Sequence, residues 1–108
     1  MENYLICYYI LQQCLFESLE EDLSELLGRI SPELWENGKP SDEAVFKDWN
    51  SVTDTRKMTV EEMKKSLSDK LSALGKELEK TIKIIGSDDF EYFLSQAKER
   101  ASEYLSEI

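Results

Sequence analysis

Histidine is absent from this 108-residue sequence, and cysteine, glycine and proline are all scarce. Without histidine the chain lacks the commonest acid–base side chain and the commonest nitrogen ligand of zinc. Two cysteines cannot complete a tetrahedral zinc site alone, and the four glycines stand singly, so no phosphate-binding glycine loop is present. We therefore expect no metal, no nucleotide cofactor and no enzymatic activity.

The two cysteines lie in one apolar stretch, and their spacing limits what they can form. On a helix, Cys7 and Cys14 share a face about 10 Å apart, which is too far for a disulfide between them. We expect reduced, buried thiols in a cytoplasmic protein, with an intermolecular disulfide as the alternative.

Long apolar runs are also missing. The run from Tyr4 to Leu11 ends at Gln12, far short of the roughly 20 residues of a membrane span. No basic residue precedes it and no small-residue cleavage site follows it, as an export signal would require. The sequence therefore predicts a cytoplasmic protein that does not contact a membrane.

Positive charge is scarce in one half of the chain. Residues 1–54 carry twelve acidic and three basic side chains, whereas residues 55–108 carry eleven and ten, so the halves contribute −9 and −1 to the net charge of −10. The negative electric field around such a half attracts basic partners and repels nucleic acid.

Carboxylates can also bind metal ions, but the Glu-x-x-His pairs of carboxylate bundles and the glycine of a calcium loop are lacking here.

The N-terminal half reads as a series of helices. Residues 3–17 start at Asn3 and are apolar nearly all round, which predicts a buried central helix, with a strand over residues 4–11 as the alternative. A second helix is predicted over residues 20–30, with an acidic first turn that suits the helix dipole. Ser31 then precedes Pro32 as a new cap.

A turn separates the two tryptophans of the chain. The segment Glu36-Asn37-Gly38-Lys39-Pro40 predicts this turn, and Ser41 caps a short helix that presents Val45, Phe46 and Trp49 to the core. We expect Trp35 and Trp49 to hold the turn on the core, with exposure of a tryptophan to a partner as the alternative.

Two long helices are predicted in the C-terminal half, after a polar linker over residues 50–58. The first opens with a capping box from Thr59 to Glu62 and keeps one apolar stripe through residues 59–85, with Gly75 inside it. Gly86 ends it, and Ser87 or Asp88 caps the last helix, with Glu91 completing a box from Asp88. The apolar face of this last helix is predicted to comprise Phe90, Phe93, Leu94, Ala97, Ala101, Tyr104, Leu105 and Ile108.

Together these patterns predict an all-α fold, a compact bundle of five or six helices with a long C-terminal antiparallel helical hairpin. Residues 1–108 form one domain, in which residues 1–54 are an acidic helical half and residues 59–108 the hairpin. The near-heptad stripes of residues 60–105 also permit a homodimer.

The segment from Asp22 to Ile30 contains Asp-Leu-Ser-Glu-Leu-Leu-Gly, and residues 35–49 contain a Gly-Lys-Pro-Ser-Asp turn before a short helix that ends in Asp48-Trp49. This pattern, over residues 22–49, resembles small acidic bacterial immunity proteins found beside polymorphic toxins. The resemblance implies a cytoplasmic inhibitor that neutralises one cognate toxin domain, expected to be a basic nuclease. An acidic face would speed its association with such a partner and would compete with phosphate at the active site.

The predicted partner-binding residues are acidic, with Trp35 as the expected exposed anchor. They are Glu20, Glu21, Asp22, Glu25, Glu33, Trp35, Glu36, Asp42, Glu43 and Asp48. Two other functions fit the same sequence. One is a structural or scaffolding protein that self-associates through its helices, and the other is an acidic mimic of nucleic acid that blocks DNA-binding proteins.

Overall fold

The structure, a computed structural model, describes residues 1–36 and 38–107. Within them the chain forms six α-helices and one 3₁₀ turn, with no strand beyond an isolated bridge between Glu36 and Lys39. The predicted all-α fold class is therefore confirmed. The elements are α1 (Glu2–Ser18), α2 (Glu21–Ile30), the 3₁₀ turn (Pro32–Leu34), α3 (Glu43–Asn50), α4 (Val60–Ala73), α5 (Glu79–Ile85) and α6 (Phe90–Glu107).

The central element of the fold is α1, as its apolar sequence predicts. It packs most extensively against α6 and also contacts α2, α3 and α5. Because neighbours cover it on several sides, apolar residues occupy nearly its whole circumference. Its buried apolar residues are Tyr4, Leu5, Ile6, Cys7, Tyr8, Ile10, Leu11 and Cys14.

The start of α1 differs in detail from the prediction. Asn3 lies inside the helix and does not cap it. Its side-chain oxygen accepts hydrogen bonds from the Thr55 backbone N–H at 3.3 Å and from the Thr55 hydroxyl at 3.4 Å. The Thr53 hydroxyl donates to the Asn3 carbonyl at 3.2 Å, and Thr53 is fully buried. The segment predicted as a polar linker is therefore bound to the first turn of α1.

The predicted single helix over residues 59–85 is wrong, because the chain turns between α4 and α5. Gly75 lies in this turn with φ at +66°, a backbone conformation that ends an α-helix and that glycine adopts easily. Leu71 before the turn and Leu78 after it are both buried, so the apolar spacing continues across the break. The antiparallel hairpin stays a prediction.

Several predicted caps are present, although two are displaced. The capping box is confirmed, with the Glu62 N–H donating to Thr59 Oγ1 at 3.2 Å and the Thr59 N–H donating to Glu62 Oε1 at 3.0 Å. The cap of α3 is Asp42 and not Ser41, since its carboxylate accepts two N–H groups of that helix. Likewise α6 begins at Phe90, two residues after the predicted cap Asp88, and the Ser87 hydroxyl accepts the Asp89 N–H at 3.3 Å.

The turn before α3 and the apolar face of α6 agree with the prediction where they are described. Gly38 has φ at +69°, and the Lys39 N–H donates to the Glu36 carbonyl at 3.0 Å. Asn37, predicted in this turn, and Ile108, predicted on the face of α6, lie outside the described residues. The residues of that face from Phe90 to Ala101 are buried, and Tyr104 and Leu105 are half-buried.

Candidate protein-binding surface

The predicted partner-binding residues divide into carboxylates that hold the fold and carboxylates that only face solvent. Five of them accept hydrogen bonds from other groups of the chain or form ion pairs with them. These are Glu20, Asp22, Glu25, Asp42 and Asp48. Glu21, Glu33, Glu36 and Glu43 are exposed. Trp35 is half-buried.

Glu20 and Asp22 bind the start of α5 across the fold. Glu20 Oε1 accepts the Thr81 N–H at 2.8 Å and the Thr81 hydroxyl at 2.6 Å, and Oε2 accepts the Lys80 N–H at 3.3 Å. Asp22 accepts the Glu77 N–H at 2.7 Å. The first N–H groups of a helix have no hydrogen-bond partner inside it. The residue at the cap position of α5 is Leu78, whose side chain has no acceptor for them. Glu20 therefore performs from a distance the role of a capping residue.

Asp48 and Glu25 form ion pairs with neighbouring basic residues. Lys70 of α4 pairs with Asp48 of α3, and its Nζ lies 5.0 Å from the centre of the Trp49 ring. Arg29 pairs with Glu25 one turn away on α2 at 2.7 Å. Both carboxylates are exposed. The pair on α2 has the i,i+4 spacing of a helix surface, whereas the pair of Asp48 with Lys70 depends on how α3 and α4 meet.

The two tryptophans lie in different environments. Trp49 is 4% exposed and belongs to the core, as predicted. Trp35 packs in an aromatic cluster, with its ring centre 5.0 Å from that of Tyr4, 6.0 Å from Phe46 and 6.3 Å from Tyr104. Most of the expected anchor surface is therefore used within the chain, and the proposed contact of Trp35 with a partner stays a prediction.

Two tyrosines of α1 hold the segment that follows α2. The Tyr4 hydroxyl donates to the Ile30 carbonyl, and the Tyr8 hydroxyl lies 3.3 Å from Ser31 Oγ. Burial raises the pKa of Tyr4 above its ordinary value, and the Cys7 thiol adds to this effect. Because α1 fixes residues 30 and 31, the 3₁₀ turn that follows has a defined position beside α1.

Next to this turn, α1 and α2 border a shallow groove of about 390 Å³ that the sequence did not predict. Apolar Phe16 and Leu34 line it and are 65% and 61% exposed. Phe16 was expected to be buried with the rest of α1, so this expectation is wrong. A signal was available, because Phe16 lies between the polar residues Gln12 and Gln13 and the acidic Glu17, on the side of α1 that neighbours leave open.

A buried polar atom also lies at this groove. The side-chain oxygen Oε1 of Gln12, which lines the groove, is buried and has no hydrogen-bond donor among the described residues. Unpaired buried polar atoms are rare in folded proteins, because each one forfeits its hydrogen bonds to water.

Other chemistry-bearing groups offer little to a ligand. Cys7 and Cys14 are buried, and burial raises the pKa of each thiol to about 12. Among residues 1–36 and 38–107, no group of three or more cysteine, aspartate and glutamate side chains is placed to hold a metal ion. None of the helices in this part of the chain combines the length and the apolar run that crossing a membrane requires.

The surface that remains consists of exposed acids and exposed apolar side chains on the N-terminal half. Exposed Glu33, Leu34 and Glu36 flank the half-buried Trp35 in sequence. Leu34 lines both the groove beside α1 and a second depression with Lys39 and Pro40.

Comparison of the chain with protein-family models, with curated proteins and with solved structures finds no match.

Proposed function

We propose that this chain is an immunity-type protein, which binds and neutralises a basic partner such as a bacterial toxin domain. One observation carries the proposal. Glu33 and Glu36 are exposed on either side of a stretch that also exposes Leu34, in a half of the chain with formal charge −9. Protein interfaces commonly combine an apolar centre with a charged rim, and charge complementarity raises the rate of association.

The resemblance of residues 22–49 to acidic immunity proteins supports the same function. A basic nuclease is the expected class of partner, since an acidic surface can occupy a site that binds phosphate. Self-association through residues 60–105 is less favoured, because Met63, Leu67 and Leu71 of that stripe are already buried in the chain's own core.

The first experiment is capture of the partner from the producing cells with a tagged protein, at low and at moderate salt. We expect one basic protein at a one-to-one ratio, which is then purified and assayed for nuclease activity with and without an equimolar amount of this chain. Loss of that activity would support the proposal. Recovery of the chain alone would favour the scaffold, and recovery of many basic proteins would favour a nucleic-acid mimic.

A pair of charge-reversed variants tests the acidic face itself. Glu21, Glu33 and Glu43 are replaced by lysine in one variant, because they are exposed acids of the N-terminal half. The control variant carries the same change at exposed Glu91, Glu99 and Glu103 of α6. We expect the first variant to associate about tenfold more slowly at low salt and with a weaker dependence on salt. Equal effects in both variants would remove this face from the interface.

A further inference from the structure

The groove between α1 and α2 has the properties of a docking site. Phe16 of α1 and Leu34 of the 3₁₀ turn both line it, and these two large apolar side chains are both more than half exposed. Exposed apolar residues that share one groove are more informative than single ones on the surface, because they offer a contiguous area for burial. From α2 the groove is lined by Gly28, where an added methyl group would meet no atom within 4 Å. The groove therefore has room for a side chain from outside.

The charge around the groove selects the occupant. Glu33 lines the groove, and exposed Glu17 follows Phe16 on α1. The nearby Arg29 is paired with Glu25 at 2.7 Å. A second copy of this chain, with its own net charge of −10, would be repelled from such a rim. An occupant with lysine or arginine beside its apolar face would be attracted.

The walls also favour one backbone conformation for the occupant. They are helices and a 3₁₀ turn, and a helix satisfies its interior N–H and C=O groups within itself. An added strand would find no sheet edge to pair with here. A helix brings its own backbone hydrogen bonds and presents apolar side chains along one face, as in other helix-in-groove complexes.

We propose that the groove between α1 and α2 binds a basic amphipathic helix of the partner protein. Its apolar face packs on Phe16 and Leu34, and its flanking lysine and arginine side chains lie near Glu33 and Glu17. The inference rests on the proposed function, since it names the part of a basic partner that this surface accepts.

The test uses a defined probe, a fluorescent 18-residue peptide of leucine and lysine that places its leucines on one helical face. Binding to the full chain is measured by fluorescence anisotropy, beside a scrambled peptide of the same composition. The variant with Phe16→Ser and Leu34→Ser should bind about tenfold more weakly, as expected for loss of an apolar anchor. Tyr92→Ser is the matched control, since Tyr92 is 60% exposed on α6 and lies outside the groove.

A second variant fills the groove instead of stripping it. Gly28→Leu should also weaken the probe about tenfold, while circular dichroism shows the same helix content and an unfolding temperature no lower than that of the starting chain. Amide shifts of the labelled protein should move at residues 28 and 34 and not at residue 92. Equal binding of the scrambled peptide, or unchanged affinity of both groove variants, would overturn the proposal.

The two proposals fail in distinguishable ways. If a basic partner is captured and neutralised but binds the groove variants as well as the original chain, the groove is overturned and the proposed function stands. If no basic partner is captured and the peptide still requires Phe16 and Leu34, the groove stands as a helix-binding site and the proposed function is overturned.

Discussion

At the scale of single residues, Gly28 and Gly75 make opposite contributions to stability. Gly75 has φ at +66°, where a Cβ is strained, whereas Gly28 lies inside α2 with open space around it. We expect Gly75→Ala to lower the free energy of unfolding by about 1–2 kcal/mol. Gly28→Ala should raise it by about 0.5–1 kcal/mol. Urea unfolding of both variants checks the signs, and a loss in both would mean that Gly28 has a role other than filling its helix position.

Among residues 1–36 and 38–107, Leu19 is the non-glycine residue with a left-handed backbone conformation. It ends α1 with φ at +54°, its N–H donates to the Leu15 carbonyl at 2.9 Å, and its side chain is 77% exposed. Glycine is the usual residue at such a helix end because it has no Cβ to strain. Leu19→Gly should therefore raise the free energy of unfolding by about 0.5–1 kcal/mol. Leu19→Ala keeps the Cβ and should give no such gain in the same urea titration.

At the scale of helices, the carboxylate of Glu20 determines whether α5 has a stable first turn. It accepts the backbone N–H groups of Lys80 and Thr81, as a capping side chain would, and it also accepts the Thr81 hydroxyl. Glu20→Ala should lower the free energy of unfolding by about 1–2 kcal/mol, a typical cost for loss of a cap. It should also speed amide exchange at Lys80 and Thr81.

Glu21→Ala provides the control for this prediction. Glu21 is the next residue, has the same charge and is exposed. We expect its replacement to change the free energy of unfolding by no more than about 0.5 kcal/mol. If both variants lose the same stability, the effect comes from the net charge of the chain and not from the cap.

Most helices could be predicted because their signals are local. The apolar run of α1, the stripe of α2 and the capping box at Thr59 each depend on residues within a few positions of one another. The break at Gly75 could not be predicted in this way, because Leu71 and Leu78 keep helical spacing across it. What stabilises the break is the pair of carboxylates at Glu20 and Asp22, more than fifty residues away in sequence.

The candidate site was predictable only in its charge. The sequence shows which residues are acidic, but it does not show that Glu20 and Asp22 bind α5 while Glu33 and Glu36 face solvent. That division depends on which elements meet. Phe16 was misplaced because the long apolar run outweighed a weaker local signal, the polar residues Gln12, Gln13 and Glu17 around it on α1.

At the scale of the whole molecule, two buried thiols make the free energy of unfolding fall as the pH becomes alkaline. Burial raises the pKa of Cys7 from 9.0 to about 12, and the nearby Cys14 thiol adds to this shift. Burial also raises the pKa of Cys14 from 9.0 to about 12. The unfolded chain therefore loses these protons first as the pH rises. The stability that the two protonated thiols contribute is fully present below pH 9.0 and is lost between pH 9.0 and about 12. In that range the free energy of unfolding falls by about 1.4 kcal/mol per pH unit for each thiol.

Urea midpoints measured at steps of about one pH unit from neutral to alkaline pH would give this slope. Cys14→Ala removes one of the two ionising thiols and should make the decline shallower. A decline that is as steep in this variant as in the original chain would assign the effect to other groups, such as the buried Tyr4.

The packing of α1 against α6 has a consequence for how the chain acquires its structure. Residues 19–89 separate the two helices, so α1 leaves the ribosome well before the partner that covers it. Contacts between distant segments form slowly, and exposed apolar surface favours aggregation while they are missing. During synthesis the face of α1 that packs on α6 therefore stays exposed until α6 is made, and we expect a chaperone that binds nascent apolar segments to raise the yield of folded chain.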